Sequence, residues 1–285
     1  MSGRVDLHVH STASDGQFCP AELVQRALQV GLAAIAITDH DTTEGVAGAL
    51  EAARGTVLKV IPGVEISTDA SGREVHVLGY YIRYKDPDLC SKLALFRDLR
   101  LERARRMVAK LGRMGLPLDW DRVREIAGDA AVGRPHIARA LLEQGYISTL
   151  DEAFHLYIGR NGPAYADRFK LSPVEAVRTI LAADGLPVLA HPLHATHLVP
   201  ELARNGLAGL EVYYPGYLSD DTRFLLNLAA DYDLIATGGS DFHGDVLPAH
   251  DLGGIVVPEE VVESLLAHRL RRQRESRAWR PPTSP

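Results

Sequence analysis

The chain has 285 residues, 46% hydrophobic and 24% charged, which excludes a disordered chain or a coiled coil and fits one or two packed globular domains. Thirty-one Lys and Arg against 37 Asp and Glu leave a net charge of −6, so the surface as a whole does not attract polyanions and extended DNA binding is not expected. No apolar run reaches the length of a membrane span, the first residues lack the apolar core of a secretion signal, and two cysteines, Cys19 and Cys90, are too few for a disulfide framework or a Cys-rich zinc site. The expectation is a cytoplasmic protein that does not engage membranes.

Up to about residue 85, short β-branched runs alternate with helical patterns, the signature of βα units in a parallel sheet or barrel. Strands are expected at Val5 to His10, Ala33 to Thr38, Val57 to Ser67 with a bend at Pro62-Gly63, and Glu74 to Ile82. Between them lie a helix opened by Pro20 and closed by Gly31, and a second from Glu44 to Arg54. From 86 to 165 helical signals follow one another, at Pro87 to Met114, Trp120 to Ala127, Pro135 to Gln144 and Leu150 to Ile158, which reads as a helical insertion. The βα rhythm resumes at the capping box Ser172-Pro173-Val174-Glu175, with strands at Leu186 to Ala190, Gly209 to Tyr213 and Leu234 to Thr237. The expected organisation is a discontinuous barrel of residues 1–85 and 166–268, an insertion of 86–165, and a fraying Arg-rich tail over 269–285.

Twelve histidines are the compositional oddity, and their placement carries the argument. His8 and His10 are separated by one residue within a strand, so the two-residue β period points both rings to one face. Asp15 follows in the next loop, Asp39-His40 close the second strand, Glu65 ends the third apolar run, His76 lies in the fourth, His191 ends Leu-Pro-Val-Leu-Ala, and Asp241 and His243 follow the last strand. In an α/β barrel the carboxyl ends of the strands form one rim, so groups spread over more than 230 positions would meet in one cleft. Packing imidazoles and carboxylates together without compensating cations is costly, and divalent metals remove that cost. His, Asp and Glu without thiolate suit Mn²⁺, Fe²⁺ or Zn²⁺, with Mn²⁺ the first choice. Nine groups exceed what one ion takes, so two or three ions sharing a carboxylate, with Glu65 as the candidate bridge, are expected.

The segments His8-Val-His10-Ser-Thr-Ala-Ser-Asp15-Gly, Ile-Thr-Asp39-His40-Asp41, Pro-Gly-Val-Glu65-Ile-Ser, Val-His76-Val-Leu-Gly, Ala-His191-Pro and Gly-Ser240-Asp241-Phe-His243 together resemble the polymerase and histidinol phosphatase (PHP) family. The resemblance spans roughly 1–84 and 166–250, and Gly-Arg134-Pro-His136 resembles the insertion of stand-alone bacterial members that act as 3′,5′-nucleotide bisphosphate phosphatases and 5′→3′ exoribonucleases. It implies a distorted (β/α)₇ TIM-like barrel, α/β in class, with a trinuclear metal centre. Carried over by position, it implies one metal on His8, His10, Glu65 and Asp241, a second on Asp15, His40 and His243, and a third on Glu65, His76 and His191.

Metal binding lowers the pKa of water from 15.7 toward ~7, so a hydroxide held through metal by Asp15, His40, Asp241 and His243 would be the nucleophile. Arg134 is the first choice for a phosphate clamp, because guanidinium pairs bidentately with phosphate oxygens. His136, Arg160, Lys170 and His194 are further candidates for substrate contact. The Arg-rich stretch from Arg97 to Arg106 has the charge to track an RNA backbone, but it spreads over several helix faces with Glu102 among them and reads rather as a solvated helix. No Walker-type loop, Gly-x-Gly-x-x-Gly after a strand, or His-Glu-x-x-His helix is present. The expected partner is a small phosphorylated nucleotide such as pAp, or a short 5′-phosphorylated RNA end. Alternatives are a phosphatase of another small phosphomonoester such as histidinol phosphate, or a non-catalytic metal-binding regulatory module.

Overall fold

The computed structural model describes residues 4–128, 132–166, 171–245 and 250–278. In chain order the elements are β1 (Arg4–Val9), α1 (Pro20–Gln29), β2 (Leu32–Ile37), α2 (Glu44–Ala52), β3 (Lys59–Ala70), β4 (Arg73–Tyr80), α3 (Pro87–Arg113), α4 (Trp120–Ala127), α5 (Arg134–Glu143), α6 (Leu150–Ala153), α7 (Pro173–Ala182), β5 (Leu186–Leu189), α8 (Val199–Arg204), β6 (Gly209–Tyr213), α9 (Ser219–Asp231), β7 (Ile235–Gly238) and α10 (Glu260–Ala278). The seven strands form one sheet in sequence order. The ladder does not close into a full cylinder. Its two edges meet just past β7, through a parallel bridge of Val9 with Phe242 in which Phe242 O accepts from His10 N at 2.9 Å and His8 O accepts from Phe242 N at 3.2 Å.

One departure from the expected βα alternation positions the site. β1 to β3 are parallel, as are β5 to β7, but β4 runs antiparallel to both neighbours. Ser71 and Gly72 both take positive φ, 51° and 80°, a two-residue reversal that turns β3 straight back on itself. β3 is therefore longer than expected, and Glu65 sits inside it rather than at its end, opposite Leu78, while His76 opposes Ser67. Because β4 is reversed, its first half lies at the rim where the parallel strands finish. That is how a histidine near the start of a strand joins residues that follow the ends of others.

Leu7, Ile35, Ile37, Ile61, Ile66 and Leu78 are among the fully buried side chains of the sheet, packed in clusters that also take in α1, α2 and α7. Met107, Leu111, Ile137, Leu141 and Ile158 belong to a separate cluster drawn from residues 104–166. The last expected helix there is α6 followed by a single π turn, Phe154–Ile158.

Two expectations are corrected. The Arg-rich tail does not fray from residue 269, since α10 continues to Ala278. Arg269 lies over the Tyr81 ring at 5.6 Å and Arg272 donates to the Gly185 carbonyl at 3.4 Å, so the arginines cover the barrel with their stems while their charges reach its surface. The stretch Arg97 to Arg106 is not a purely solvated face either. Arg100 pairs with Asp41 at 2.7 Å and donates to Ser67 Oγ, and Arg103 is buried and donates to the Ala166 carbonyl at 2.8 Å. Arg100 ties α3 to β3 and the loop after β2, and Arg103 ties it to the segment ending at Ala166, partners that counting helix faces in isolation does not show.

Candidate metal centre

His8, inside β1, and His10, just beyond it, share a face with ring centroids 5.1 Å apart, and both are fully buried. Asp15 comes from the following loop, His40 from the loop after β2, Glu65 from β3, His76 from β4, His191 from the residue after Ala190, and Asp241 and His243 from the segment after β7. The nine side chains meet at one end of the sheet. Glu65 is the hub. Its Oε2 lies 3.0 Å from His40 Nδ1, 3.2 Å from His10 Nε2 and 3.3 Å from His8 Nε2, and its Oε1 lies 2.8 Å from His76 Nδ1 and 3.4 Å from His191 Nε2. Asp241 Oδ1 is 3.3 and 3.2 Å from the Nε2 atoms of His8 and His10, and Asp15 Oδ1 is 3.3 Å from His243 Nε2.

Three overlapping donor sets emerge with spacings that could hold an ion: His8, His10, Glu65 and Asp241; His10, Asp15, His40 and His243; and His40, Glu65 and His76. His10 and His40 each border two sets. His191 reaches the third through Nε2, 3.2 Å from His76 Nδ1. Among the described residues His8 Nε2, His10 Nε2, His40 Nδ1, Asp15 Oδ1 and both oxygens of Glu65 are buried without a hydrogen-bond partner. These atoms face one another instead of outside hydrogen-bond partners, an arrangement that is expensive in a protein interior unless protons or divalent cations are shared among them. The donor set of imidazole and carboxylate without sulfur fits hard to borderline metals.

The electrostatics agree. Burial raises the carboxyls of Asp15, Glu65 and Asp241, but the surrounding imidazoles outweigh it and hold all three well below the ordinary carboxylate range. Burial lowers His76 and His243, and Glu65 with Glu74 lifts the first to about 9 while Asp15 and Asp241 lift the second to about 10. His8 is likewise held well above its usual value, against burial, by Glu211, Asp241 and Glu65, whereas burial and the neighbouring rings His10 and His76 keep His40 well below its usual value. In the metal-free protein, protons on several rings balance the three carboxylates, and a metal ion would replace them.

Residues around the donors were less visible in sequence. Glu211, fully buried in β6, accepts from His8 Nδ1 at 2.8 Å and from the His191 backbone N–H at 2.7 Å. Asp39 accepts from Ser11 and Ser14, each at 2.7 Å, and shapes the loop that carries Asp15. Tyr214 donates to Asp241 Oδ2 at 2.8 Å, and His243 Nδ1 faces the Asp241 carbonyl at 2.8 Å. A lone carboxylate in the apolar run Gly-Leu-Glu-Val-Tyr was the signal that would have found Glu211.

The expected substrate contacts divide. Arg134 opens α5 and pairs with Glu74, whose other oxygen is 3.2 Å from His76 Nε2, so this guanidinium stands one residue away from the donors. His136 is buried, its Nδ1 accepts from Gly133 N–H at 3.0 Å, and it lines a cleft of about 410 Å³ together with Asp15, Gln17, Arg139 and His243. Arg160 instead donates to the Ser71 carbonyl at the β3–β4 turn, and the exposed His194 sits in a short 3₁₀ turn after His191. Lys170 lies outside the described residues.

A model of the PHP domain matches residues 6–159, and the chain belongs to this family. It is 36% identical over 250 residues to a 5′-3′ exoribonuclease of Haemophilus influenzae, covering 85% of this chain and 91% of the relative. It is 33% identical over 257 residues to a 3′,5′-nucleoside bisphosphate phosphatase of Chromobacterium violaceum, covering 87% and 90%. A crystal structure of a metal-dependent phosphoesterase from Bifidobacterium adolescentis superposes with a TM-score of 0.83 at 32% identity, over 92% of this chain and 95% of that one. The fold is thus the distorted TIM-like barrel of PHP phosphoesterases with its sheet left open, and the chain is a metal-dependent phosphoester hydrolase. No helix among the described residues is long and apolar enough to cross a membrane.

Proposed function

We propose that this enzyme removes the 3′-phosphate of nucleoside 3′,5′-bisphosphates and shortens 5′-phosphorylated RNA ends at the same centre. The observation that carries the reading is the juxtaposition of three donor sets with a cleft walled by Asp15 and His243 on one side and by His136 and Arg139 of α5 on the other. The names of the relatives, an exoribonuclease and a bisphosphate phosphatase, support the same substrate class.

His8, His10, Glu65 and Asp241 would hold one ion, Asp15, His40 and His243 a second, and Glu65, His76 and His191 a third. Divalent ions there supply an activated water at neutral pH and Lewis-acid neutralisation of phosphoryl charge. The protein's own groups do the rest. Tyr214 and the Asp241 carbonyl orient Asp241 and His243, so that His243 Nε2 faces Asp15. Since His136 Nδ1 accepts from Gly133, its ring proton resides on Nε2, which is left to donate to a substrate oxygen. Burial lowers the His136 pKa and keeps the ring neutral for that role. Arg134 can exchange its Glu74 partner for a phosphate dianion, a bidentate acceptor of matching shape.

Metal-reconstituted protein assayed against pAp, a 5′-phosphorylated tetraribonucleotide and histidinol phosphate tests the proposal. Phosphate from pAp and mononucleotides from the RNA, with histidinol phosphate untouched, are expected. Turnover of histidinol phosphate alone, or of no ester at all, would overturn it in favour of a different phosphatase or a regulatory module.

A further inference from the structure

β6 buries a carboxylate whose two hydrogen bonds both go to residues of the metal-holding sets. Glu211 Oε1 accepts from His8 Nδ1 at 2.8 Å, and Oε2 accepts from the His191 backbone N–H at 2.7 Å. Neither partner is local, since His8 is 203 positions away in sequence and His191 is 20. Glu211 has no exposed surface, and a hydrophobic residue of similar volume would pack there without the cost of desolvating a charge. Two further acids, each 1% exposed, behave differently. Asp6 is bonded to Ser240 and the Gly253 and His8 backbone, and Asp39 to Ser11 and Ser14, so both fasten loops.

Each of the two bonds fixes something that a metal site needs. With Nδ1–H committed to Glu211, the lone pair of His8 is confined to Nε2, which faces Glu65 and Asp241 at 3.3 Å each. His191 has φ 29° and ψ 57°, a left-handed backbone that a non-glycine residue holds only when its surroundings impose it. The Glu211 carboxylate is the group that captures its N–H. Without that capture the backbone would be free to relax, and the ring would move from Glu65 and His76. β5 and β6 are paired at Leu189 and Leu210, which sets Glu211 one residue past the register point and so directly below the turn that carries His191.

Resting on the metal-centre reading above, we propose that Glu211 is a positioning residue that clamps His8 and His191 at once, so that the Glu65–Asp241 set and the Glu65–His76 set form as one unit while the Asp15–His40–His243 set forms without it.

The test is Mn²⁺ binding to chelator-stripped protein, wild type against Glu211→Gln, followed by calorimetry and by the electron paramagnetic resonance spectrum of the bound ion. Glutamine keeps the volume but offers one acceptor oxygen in place of two, so one clamp is lost. A 10–100-fold weaker affinity is expected for two of the bound ions, the usual consequence of removing an outer hydrogen-bond partner, with the remaining ion unchanged. The spectrum should change from that of spin-coupled neighbours to the six-line signal of an isolated ion at equal loading, and the melting temperature of the metal-free variant should stay within a few degrees of wild type. Equal stoichiometry and affinity in both proteins would overturn the inference alone. So would a Glu211→Gln protein that fails to fold without metal, because Glu211 would then be a fold-holding group. Wild type that binds no metal would instead overturn the reading on which the inference rests.

Discussion

Metal loading of this centre competes with protons, and the competition can be worked out residue by residue. His76 at about 9 and His243 at about 10 are cations at neutral pH in the metal-free protein, yet each must give up a proton before a ring nitrogen can ligate. At pH 7 stripping His76 costs ~2.7 kcal/mol and His243 ~4 kcal/mol, at 1.36 kcal/mol per pH unit. The apparent metal association constant should therefore climb about tenfold per pH unit for each ring, roughly 100-fold per unit for the two together between pH 7 and 8.5. Calorimetric titration with Mn²⁺ in two buffers of different ionisation enthalpy counts the protons directly, and at least two should be released. The metal-free fold has the opposite pH dependence. A raised histidine stabilises it fully below about 6.5 and progressively less as pH rises through 9 and 10, whereas the depressed carboxyls of Asp15, Glu65 and Asp241 stabilise it above about 4.5 and lose that effect as pH falls further. Thermal melts of stripped protein should peak between those limits. Metal affinity that is flat from pH 7 to 8.5, with binding heats independent of buffer, would refute the reasoning.

Three further outcomes are expected. Glu65→Gln replaces one hub oxygen by an NH2 group that cannot ligate and removes the negative charge, so elemental analysis should show at least one ion lost and phosphate release from pAp should fall by at least about 10²-fold. Arg134→Ala removes a charge-assisted contact of about 1.5–3 kcal/mol, which should raise KM for the bisphosphate roughly 10–100-fold at unchanged metal content; unaltered kinetics would take Arg134 out of the site. Leu141→Ala, at a fully buried position of the 104–166 cluster, should cost about 2–5 kcal/mol in denaturant unfolding.

The sequence was legible where side-chain chemistry and period coincided. His8 and His10 declared a shared face by their spacing, and residues such as His40, His191 and Asp241 declared themselves by following apolar runs that could only be buried strands. What it did not disclose depends on chain direction and on contacts between distant segments. His76 could be assigned to a strand but not to a reversed one, since a strand reads alike in both directions until the Ser71-Gly72 turn is resolved. Arg100 and Arg103 looked like surface cations because their partners, Asp41 and the Ala166 carbonyl, are about 60 residues away. Arg160 carried suitable chemistry near the right segment, and its bond to the Ser71 carbonyl depends on a β3–β4 turn that the sequence does not display. Glu211 differs: as a lone acid in an apolar strand it marks itself as unusual, but it carries no spacing, and its purpose appears only once His8 and His191 are beside it.

The open seam between the first strand and the segment after the last gives the barrel a hinge line, crossed by the Val9–Phe242 bridge, by the bonds of Asp6 to Ser240 and Gly253, and by the Gln17 N–H bond to the His243 carbonyl. His8 and His10 stand on one lip of that seam and Asp241 and His243 on the other. Ions gripped from both lips would rivet the barrel shut, so a chelator should act on the scaffold as well as on the chemistry. Amide hydrogens at His10 and Phe242 would then exchange with solvent far sooner in stripped protein than those of the β2–β3 ladder. Catalytic competence and mechanical closure of the fold would be gained and lost in the same event.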